Sequence, residues 1–406
     1  MEIGIIGTGD MGKLYAQEFA KAGYRVNCVD IPEKRHELES LSGSSIYILD
    51  DGVAVSRRSD IIFYLVPISS IDDAVAQYGP ATRSDAIVSS GTSVMTPSIE
   101  AFEKYLPDDV HIINWHWLFG PSISPIGQST ALVRHKSSEG AYQRARDAFE
   151  KIGTRIIELP SYQEHDRVTA DTQAVTHVGF EAMGTAWKNM NSFPWENTTY
   201  VGGIDNVKIL MCLRIYGGKS HVYAGLAIYN PSAREQVRQY ARSESDLFGL
   251  MIQEDEQRLR ERIQKAKEAL FNRSSPVLLD DEVVGEFSLG VQHQRTPNSH
   301  LSLLSMADAW LQAGVNPYDN LICQTPPFRL RLGIVEYLFR NPVLLEESIE
   351  TALFDKRMRR DDLEFHTAVR EWATIITHGD VDGYHRQFEC TKAFFSDRKS
   401  VVRERV

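Results

Sequence analysis

Residues 2–12, EIGIIGTGDMG, decide the fold. Glu2–Ile6 has the apolar run of a buried parallel strand, and Gly7-Thr8-Gly9-Asp10-Met11-Gly12 follows it without a gap. Leu14–Ala22 then reads as a helix that stops at Gly23. In such a unit Gly7 permits the tight turn, Gly9 lets the backbone approach a pyrophosphate, and Gly12 lets helix and strand pack closely. The phosphates would sit on N–H groups at the helix start, where the dipole favours negative charge. A second strand, Arg25–Val29, ends in Asp30, about twenty residues past the glycines, where the fingerprint places an acid. The expected dinucleotide contacts are Gly7, Thr8, Gly9, Asp10, Met11, Gly12, Asp30 and Arg35, with Val66 and Pro67 where the run Ile61–Val66 ends. Asp30 suits the two ribose hydroxyls of NAD, whereas Lys34 and Arg35 could neutralise the extra phosphate of NADP.

Working outward, Ile61–Val66, Ala86–Ser89 and Val110–Ile113 are further apolar runs, each followed by turn residues. Residues 1–160 therefore read as a Rossmann-like α/β domain, a doubly wound parallel sheet. After Pro160 the pattern turns helical, with long helices expected over Gln163–Met190 and Ser243–Phe271. The expected organisation is a helical substrate domain over 161–272, a Ser-, Pro- and acid-containing linker over 273–297, and a second helical unit over 298–406 that ends in a frayed tail. The two helical units carry an internal repeat. His177, Met183 and Trp187 recur at the same spacing as His300, Met306 and Trp310. Each trio precedes an arginine-bearing segment (LRIYGG at Leu213, FRLRLG at Phe328) and then an Asn-Pro that opens a helix, at Asn230 and at Asn341. The all-helical region is thus expected to be a duplication.

Composition narrows the class. The chain has 406 residues, enough for two or three domains and a large core. Forty-four basic against 55 acidic residues give a net charge of −11, which argues against nucleic-acid binding. No apolar run approaches the length of a membrane span, and a first strand at residue 2 is read as leaving no leader, so a cytoplasmic protein is expected. Cys28, Cys212, Cys323 and Cys390 are scattered, with neither CxxC nor HxxxH spacing, so no metal is expected.

Three segments carry chemistry. In Asn114–Pro121, NWHWLFGP, His116 follows the strand pattern Val110–Ile113 and precedes a Gly/Pro turn. That places a titratable ring at the carboxyl edge of the sheet, where α/β enzymes work. Ser93, in GTSV after the strand ending at Ser89, lies at the same edge and is expected to hold a histidine tautomer or touch a nicotinamide; it also suits a helix cap before Pro97. Glu164-His165-Asp166 opens a helix that carries Gln173 and His177 on one face, four residues apart.

GTGDMG, GTSV, HWLFGP and EHD-x6-Q-x3-H, in this order and at these intervals, resemble the TyrA prephenate/arogenate dehydrogenases over essentially the whole chain. The long helical region looks most like the fungal, NADP-linked prephenate dehydrogenases of tyrosine biosynthesis. The resemblance implies oxidative decarboxylation of prephenate to 4-hydroxyphenylpyruvate, with hydride passing to NADP (alternatively NAD). Carried over, His116 would accept the hydrogen bond of the ring hydroxyl, Ser93 would orient His116 and the nicotinamide, and His177, Gln173 and His165 would line the substrate cleft. Prephenate would be the partner, with L-tyrosine as a feedback ligand competing at the same site.

One departure stands out. Bacterial members set an arginine about five residues before an Asp-Pro; the corresponding place here is Gly225. A dianion still demands cationic donors. Arg214 is expected first, with Lys219, His221, Arg329 and Arg331 as alternatives. Bacterial relatives pair their helical domains as dimers, so the duplicated unit could stand in for the partner and leave a functional monomer, with a homodimer as the other outcome. Rival readings are an arogenate dehydrogenase, a β-hydroxyacid dehydrogenase, and a non-catalytic NADP-binding regulator. Lys188-Asn189 has the wrong order for the β-hydroxyacid enzyme.

Overall fold

The computed structural model describes residues 1–196, 202–271, 278–287, 297–319 and 326–396, which divide into two compact units, Met1–Thr169 and Ala170–Val406. In the first, β1 (Glu2–Ile6), β2 (Arg25–Val29), β3 (Ile46–Ile48), β4 (Ile61–Tyr64), β5 (Ile87–Ser90), β6 (His111–Trp117), β7 (Ser129–Lys136) and β8 (Arg155–Leu159) form one sheet in the order 3-2-1-4-5-6-7-8. Its helices are α1 (Asp10–Lys21), α2 (Arg35–Glu39), α3 (Gly52–Arg58), α4 (Ile71–Tyr78), α5 (Thr96–Tyr105) and α6 (Glu139–Glu150). Strand alternation divides the core between the two faces of the sheet. Ile3, Ile5, Phe63 and Trp115 pack with Tyr15, Phe19 and Phe149 of α1 and α6. Ile6, Ile62, Tyr64 and Ile112 pack with Val55, Val75 and Phe102 of α3, α4 and α5. Both faces are covered, as double winding requires.

The sheet departs from all-parallel expectation at one junction. β6 and β7 run antiparallel, with His116 opposite Ala131, and β8 is parallel to β7. Residues 118–128 contain no helix, and without a crossover helix the chain returns as a hairpin. Pairing with β7 also prolongs β6 through Trp117, so His116 lies inside the strand rather than after it, and is buried.

A long helix, α7 (Tyr162–Asn189), leads into the second unit, which continues with α8 (Ile204–Tyr216), α9 (Ser220–Ile228), α10 (Pro231–Gln253), α11 (Glu256–Phe271), α12 (Asp281–Glu286), α13 (Leu301–Gln312), α14 (Pro326–Arg340), α15 (Pro342–Phe354), α16 (Lys356–His378) and α17 (Val381–Ser396). Both Asn-Pro signals act as read. Asn230 caps α10 by accepting from Ser232 N at 3.0 Å, and Asn341 caps α15 by accepting from Leu344 N at 3.0 Å, each with proline in the first turn. The helix expected over Ser243–Phe271 is instead two, because Glu254 takes a left-handed conformation (φ 53°) that ends α10.

The two expected helical units do not stand apart. α10 packs against both α13 and α16, and α17 against α8 and α9, within one compact body. Part of the expected linker, 278–287, is built into that body. Asp280 caps α12 through Val283 N at 2.9 Å, and Leu278 N donates to Glu336 at 2.7 Å. The rest of the expected linker, the charged tail from 397 and Cys323 lie outside the described residues. The repeated histidines differ locally. His177 is inside α7, whereas His300 precedes α13 in a left-handed conformation (φ 48°).

Candidate active site

The glycine loop follows β1, and each glycine has its own reason. A side chain on Gly7 (φ 95°) would strike the Leu65 carbonyl and Val66 N within 2.9 Å, which puts the backbone at Val66 directly against the loop. On Gly12 it would collide with the Gly7 carbonyl oxygen, so helix and loop could not close. Gly9 faces open space, with no atom within 4 Å of the Cβ position, and no side chain caps the start of α1 there. That is the cradle a pyrophosphate needs.

Asp30 does not simply await a ribose. It accepts from Thr8 N at 2.7 Å and Thr8 Oγ1 at 2.8 Å through one oxygen, and from Ile31 N at 2.8 Å through the other. Its side chain is 8% exposed, with the Lys34 ammonium 4.0 Å away. Its lone pairs are committed to the protein and its charge is offset, so an added phosphate meets less repulsion than the bare acid suggested. Arg35 stands exposed nearby and pairs with Asp50 at 3.0 Å. The loop, Asp30 and the two cations thus fit an adenine dinucleotide carrying a 2′-phosphate.

The sheet edge holds a relay of three side chains. His116 Nδ1 lies 2.9 Å from His165 Nε2, and His165 Nδ1 lies 2.8 Å from Asp166 Oδ1. Asp166 Oδ1 also accepts from Met95 N at 2.8 Å, and its Oδ2 accepts from Thr96 N at 2.9 Å and Thr96 Oγ1 at 2.6 Å, all at the start of α5. With donors on both oxygens, Asp166 acts as a carboxylate, and this settles the tautomers by elimination. His165 Nδ1–H donates to Asp166, so its Nε2 accepts. His116 Nδ1–H therefore donates to His165, and its Nε2 is left with the lone pair of a base. Burial, with the neighbouring His165, holds His116 well below the usual imidazole range, so it is neutral at physiological pH.

Among the described residues no hydrogen bond joins Ser93 to His116, contrary to the orienting role expected of it. Ser93 is half-buried in the loop after β5, and His165 supplies the orienting contact instead. Sequence reading placed His165 only as a cleft-lining group and missed Asp166; the adjacency of the two in EHD was the available signal. It also missed Asn114, whose Oδ1 accepts from Ser90 N at 2.5 Å and Ser90 Oγ at 3.1 Å and so fixes the loop after β5.

In the second unit His177 meets Tyr223 edge-on, with ring centroids 5.2 Å apart. Burial and the Arg331 charge hold it well below the usual imidazole range. Arg331 is buried, its Nε has no partner, and its one side-chain contact here is a long 3.4 Å bond to Thr176 Oγ1. Burial pulls its guanidinium down to about 10. Beside it Glu181 is pushed by burial to about 8, with Tyr384 OH donating to Oε1 at 2.6 Å. Arg331 is thus a buried cation without a full counter-charge, which is what an anionic ligand seeks. Arg329, two residues earlier, is exposed on the other side of α14, and Arg214 and Lys219 are exposed as well, although the Arg214 charge reaches Arg331. Gln173 is half-buried on the same helix as His177. The arginine that the structure favours is therefore the second of FRLRLG, not the first, because only Arg331 shares the inward face with Phe328 and Leu332.

Comparison with known proteins matches residues 174–404 to the family model described as 6-phosphogluconate dehydrogenase C-terminal domain, and residues 2–92 to that described as NADP oxidoreductase coenzyme F420-dependent. Prephenate dehydrogenase [NADP(+)] of Saccharomyces cerevisiae is 45% identical, over 97% of this chain and 89% of that protein. Probable prephenate dehydrogenase [NADP(+)] of Schizosaccharomyces pombe is 43% identical, over 98% of this chain and 94% of that one. Among solved structures, prephenate dehydrogenase from A. aeolicus in complex with hydroxyphenyl propionate and NAD+ shares the fold, with a TM-score of 0.52 at 17% identity over 66% of this chain and 96% of that one.

Proposed function

This chain belongs to the prephenate dehydrogenase family, and on that premise we propose that it converts prephenate to 4-hydroxyphenylpyruvate and carbon dioxide with NADP as oxidant, in tyrosine biosynthesis. NADP, when bound, accepts the hydride. Gly9 and the start of α1 would hold its pyrophosphate, with Lys34 and Arg35 at the 2′-phosphate.

The observation that carries the chemistry is the relay Asp166–His165–His116. It presents the Nε2 lone pair of a neutral, fixed imidazole. That atom takes the proton of the ring hydroxyl as the carbon bearing it loses hydride. The ring carboxylate then leaves as carbon dioxide, its electron pair restores aromaticity, and the proton returns to the phenolic oxygen. A positioned base of this kind contributes about 10²–10⁴ in rate. Arg331, with His177, is the group proposed for a substrate carboxylate. Ser93 and Gln173 remain as polar contacts to substrate or nicotinamide, and L-tyrosine as a competitor for the carboxylate group.

The test is formation of reduced cofactor with prephenate or arogenate, each with NADP and NAD, in the parent chain and in His116→Ala. Turnover of prephenate with NADP, lost in the variant, is expected. Silence in all four combinations with cofactor still bound would leave the regulator reading in its place.

We propose in addition that the enzyme works as a monomer. Helices from both repeats form one compact body, as they would if the second repeat replaces a partner. Light scattering at assay concentration checks it, and a tight dimer would overturn it.

A further inference from the structure

The second unit contains another chemically distinctive cavity, of about 310 Å³, that the reaction does not use. α7 contributes Met183, Trp187 and Met190 to its walls, and α16 contributes Met358 and Phe365. Its polar end gathers Lys208, Asp205, His300, Asp361 and Asp362, with exposed Arg360 among the lining residues. Lys208 Nζ donates to Asp205 at 3.0 Å and to His300 Nδ1 at 2.5 Å, and all three side chains are largely buried.

The decisive atom is Asp362 Oδ2. Asp362 is 6% exposed. Its Oδ1 accepts from Ser299 Oγ at 2.7 Å, but Oδ2 has no partner. Burial pushes this carboxyl up to about 7, as expected of an acid taken from water without a counter-charge. A buried acceptor left unmade is costly, so a site that keeps one has a use for a donor.

The cavity also has a place in the duplication. His177 of the first repeat is acted on by the charge of Arg331, which stands on α14 of the second repeat. His300, the repeat counterpart of His177, is bonded by Lys208, which stands on α8 of the first. Each repeat thus lends a cation to the other's histidine. Two pseudo-equivalent sites result, with different linings. The first offers a buried guanidinium. The second sets three carboxylates against Lys208 and Arg360, so a dianion is disfavoured there and a ligand must bring a positive charge as well as a negative one.

We propose that this cavity binds a free α-amino acid with a large apolar side chain. Asp362 takes its ammonium, Lys208 and Arg360 take its carboxylate, and Trp187, Phe365 and the methionines cover the side chain. Methionine-lined walls adapt to more than one apolar shape. Binding there does not require the reaction proposed above.

Isothermal titration of the full chain with L-phenylalanine, L-tyrosine and L-leucine tests it, alongside 3-phenylpropionate and 2-phenylethylamine, each of which lacks one of the two charges. Saturable binding of at least one amino acid is expected. Losing one charge-assisted hydrogen bond should cost both deletion analogues, and Asp362→Asn with the best amino acid, at least about tenfold in affinity. Lys208→Met should do the same, and is read in place of Asp362→Asn if that variant loses its cooperative unfolding transition. Absence of heat with all three amino acids, binding unchanged in the variants, or 3-phenylpropionate binding as well as L-phenylalanine would each overturn the proposal.

Discussion

Replacing Arg331 by methionine should move activity and stability in opposite directions. Its guanidinium is depressed from an ordinary 12.5 to about 10 by burial. At about 1.36 kcal/mol for each pH unit, the charged form has lost about 3 kcal/mol of preference. In the folded protein little is recovered, since Nε is unpartnered and the bond to Thr176 is 3.4 Å long. Methionine matches the stem, removes the buried charge and leaves Glu181, already pushed to about 8, to stay protonated at neutral pH. The folded state should therefore be at least as stable as the parent. The substrate carboxylate meanwhile loses a fork of two charged hydrogen bonds, each about 1.5–3 kcal/mol, or about 10²–10⁴ together in kcat/KM. The assay is kcat/KM for prephenate at saturating NADP, paired with the urea midpoint. Arg329→Met, exposed on the same helix, is the control and should change neither quantity. An Arg331→Met protein with parental kcat/KM would refute the carboxylate assignment. A variant whose urea midpoint collapses would show that the cation serves the fold instead.

His116→Gln should retain NADP binding while kcat falls by about 10²–10⁴, measured from initial rates. In the parent, His116 is active when neutral and titrates well below 6.5, so kcat/KM should hold through the usual imidazole range and fall only at lower pH. The same depression makes neutral His116 fully compatible with folding above the unfolded-state value near 6.5, and stability should decline as pH drops below it, as urea midpoints at a series of pH values would show. Gly12→Ala should lose NADP binding and about 1–3 kcal/mol of stability, because its methyl would collide with the Gly7 oxygen; scanning calorimetry with and without NADP reads both. Lys34→Ala should shift the NADP-to-NAD ratio of kcat/KM towards NAD by about tenfold, the loss of one charge-assisted contact.

The glycine loop, both Asn-Pro caps and the alternation of sheet residues were legible because each is a local signal, fixed by backbone geometry over a few positions. The antiparallel return of β7 was less so, since it depends on what the loop 118–128 lacks. Ser93 was expected to hold His116 because both follow neighbouring strands, yet the orienting group, His165, is 49 residues away in the chain. Only the fold brings α7 to the start of α5, where Asp166 completes the relay. Arg329 and Arg331 look alike in sequence, and their separation rests on the phase of α14, which sets one outward and one inward. Spacing could show that a cation was needed but not which face would carry it.

At the centre of the proposed chemistry His116 is a neutral base with its proton held on Nδ1. Nitrogen-15 NMR of imidazole-labelled protein, assigned with His116→Gln, tests this directly. An unprotonated Nε2 and a protonated Nδ1 are expected at neutral pH, unchanged on mild acidification, with Nε2 becoming protonated only well below the usual histidine range. A proton on Nε2, or an imidazolium at neutral pH, would contradict it.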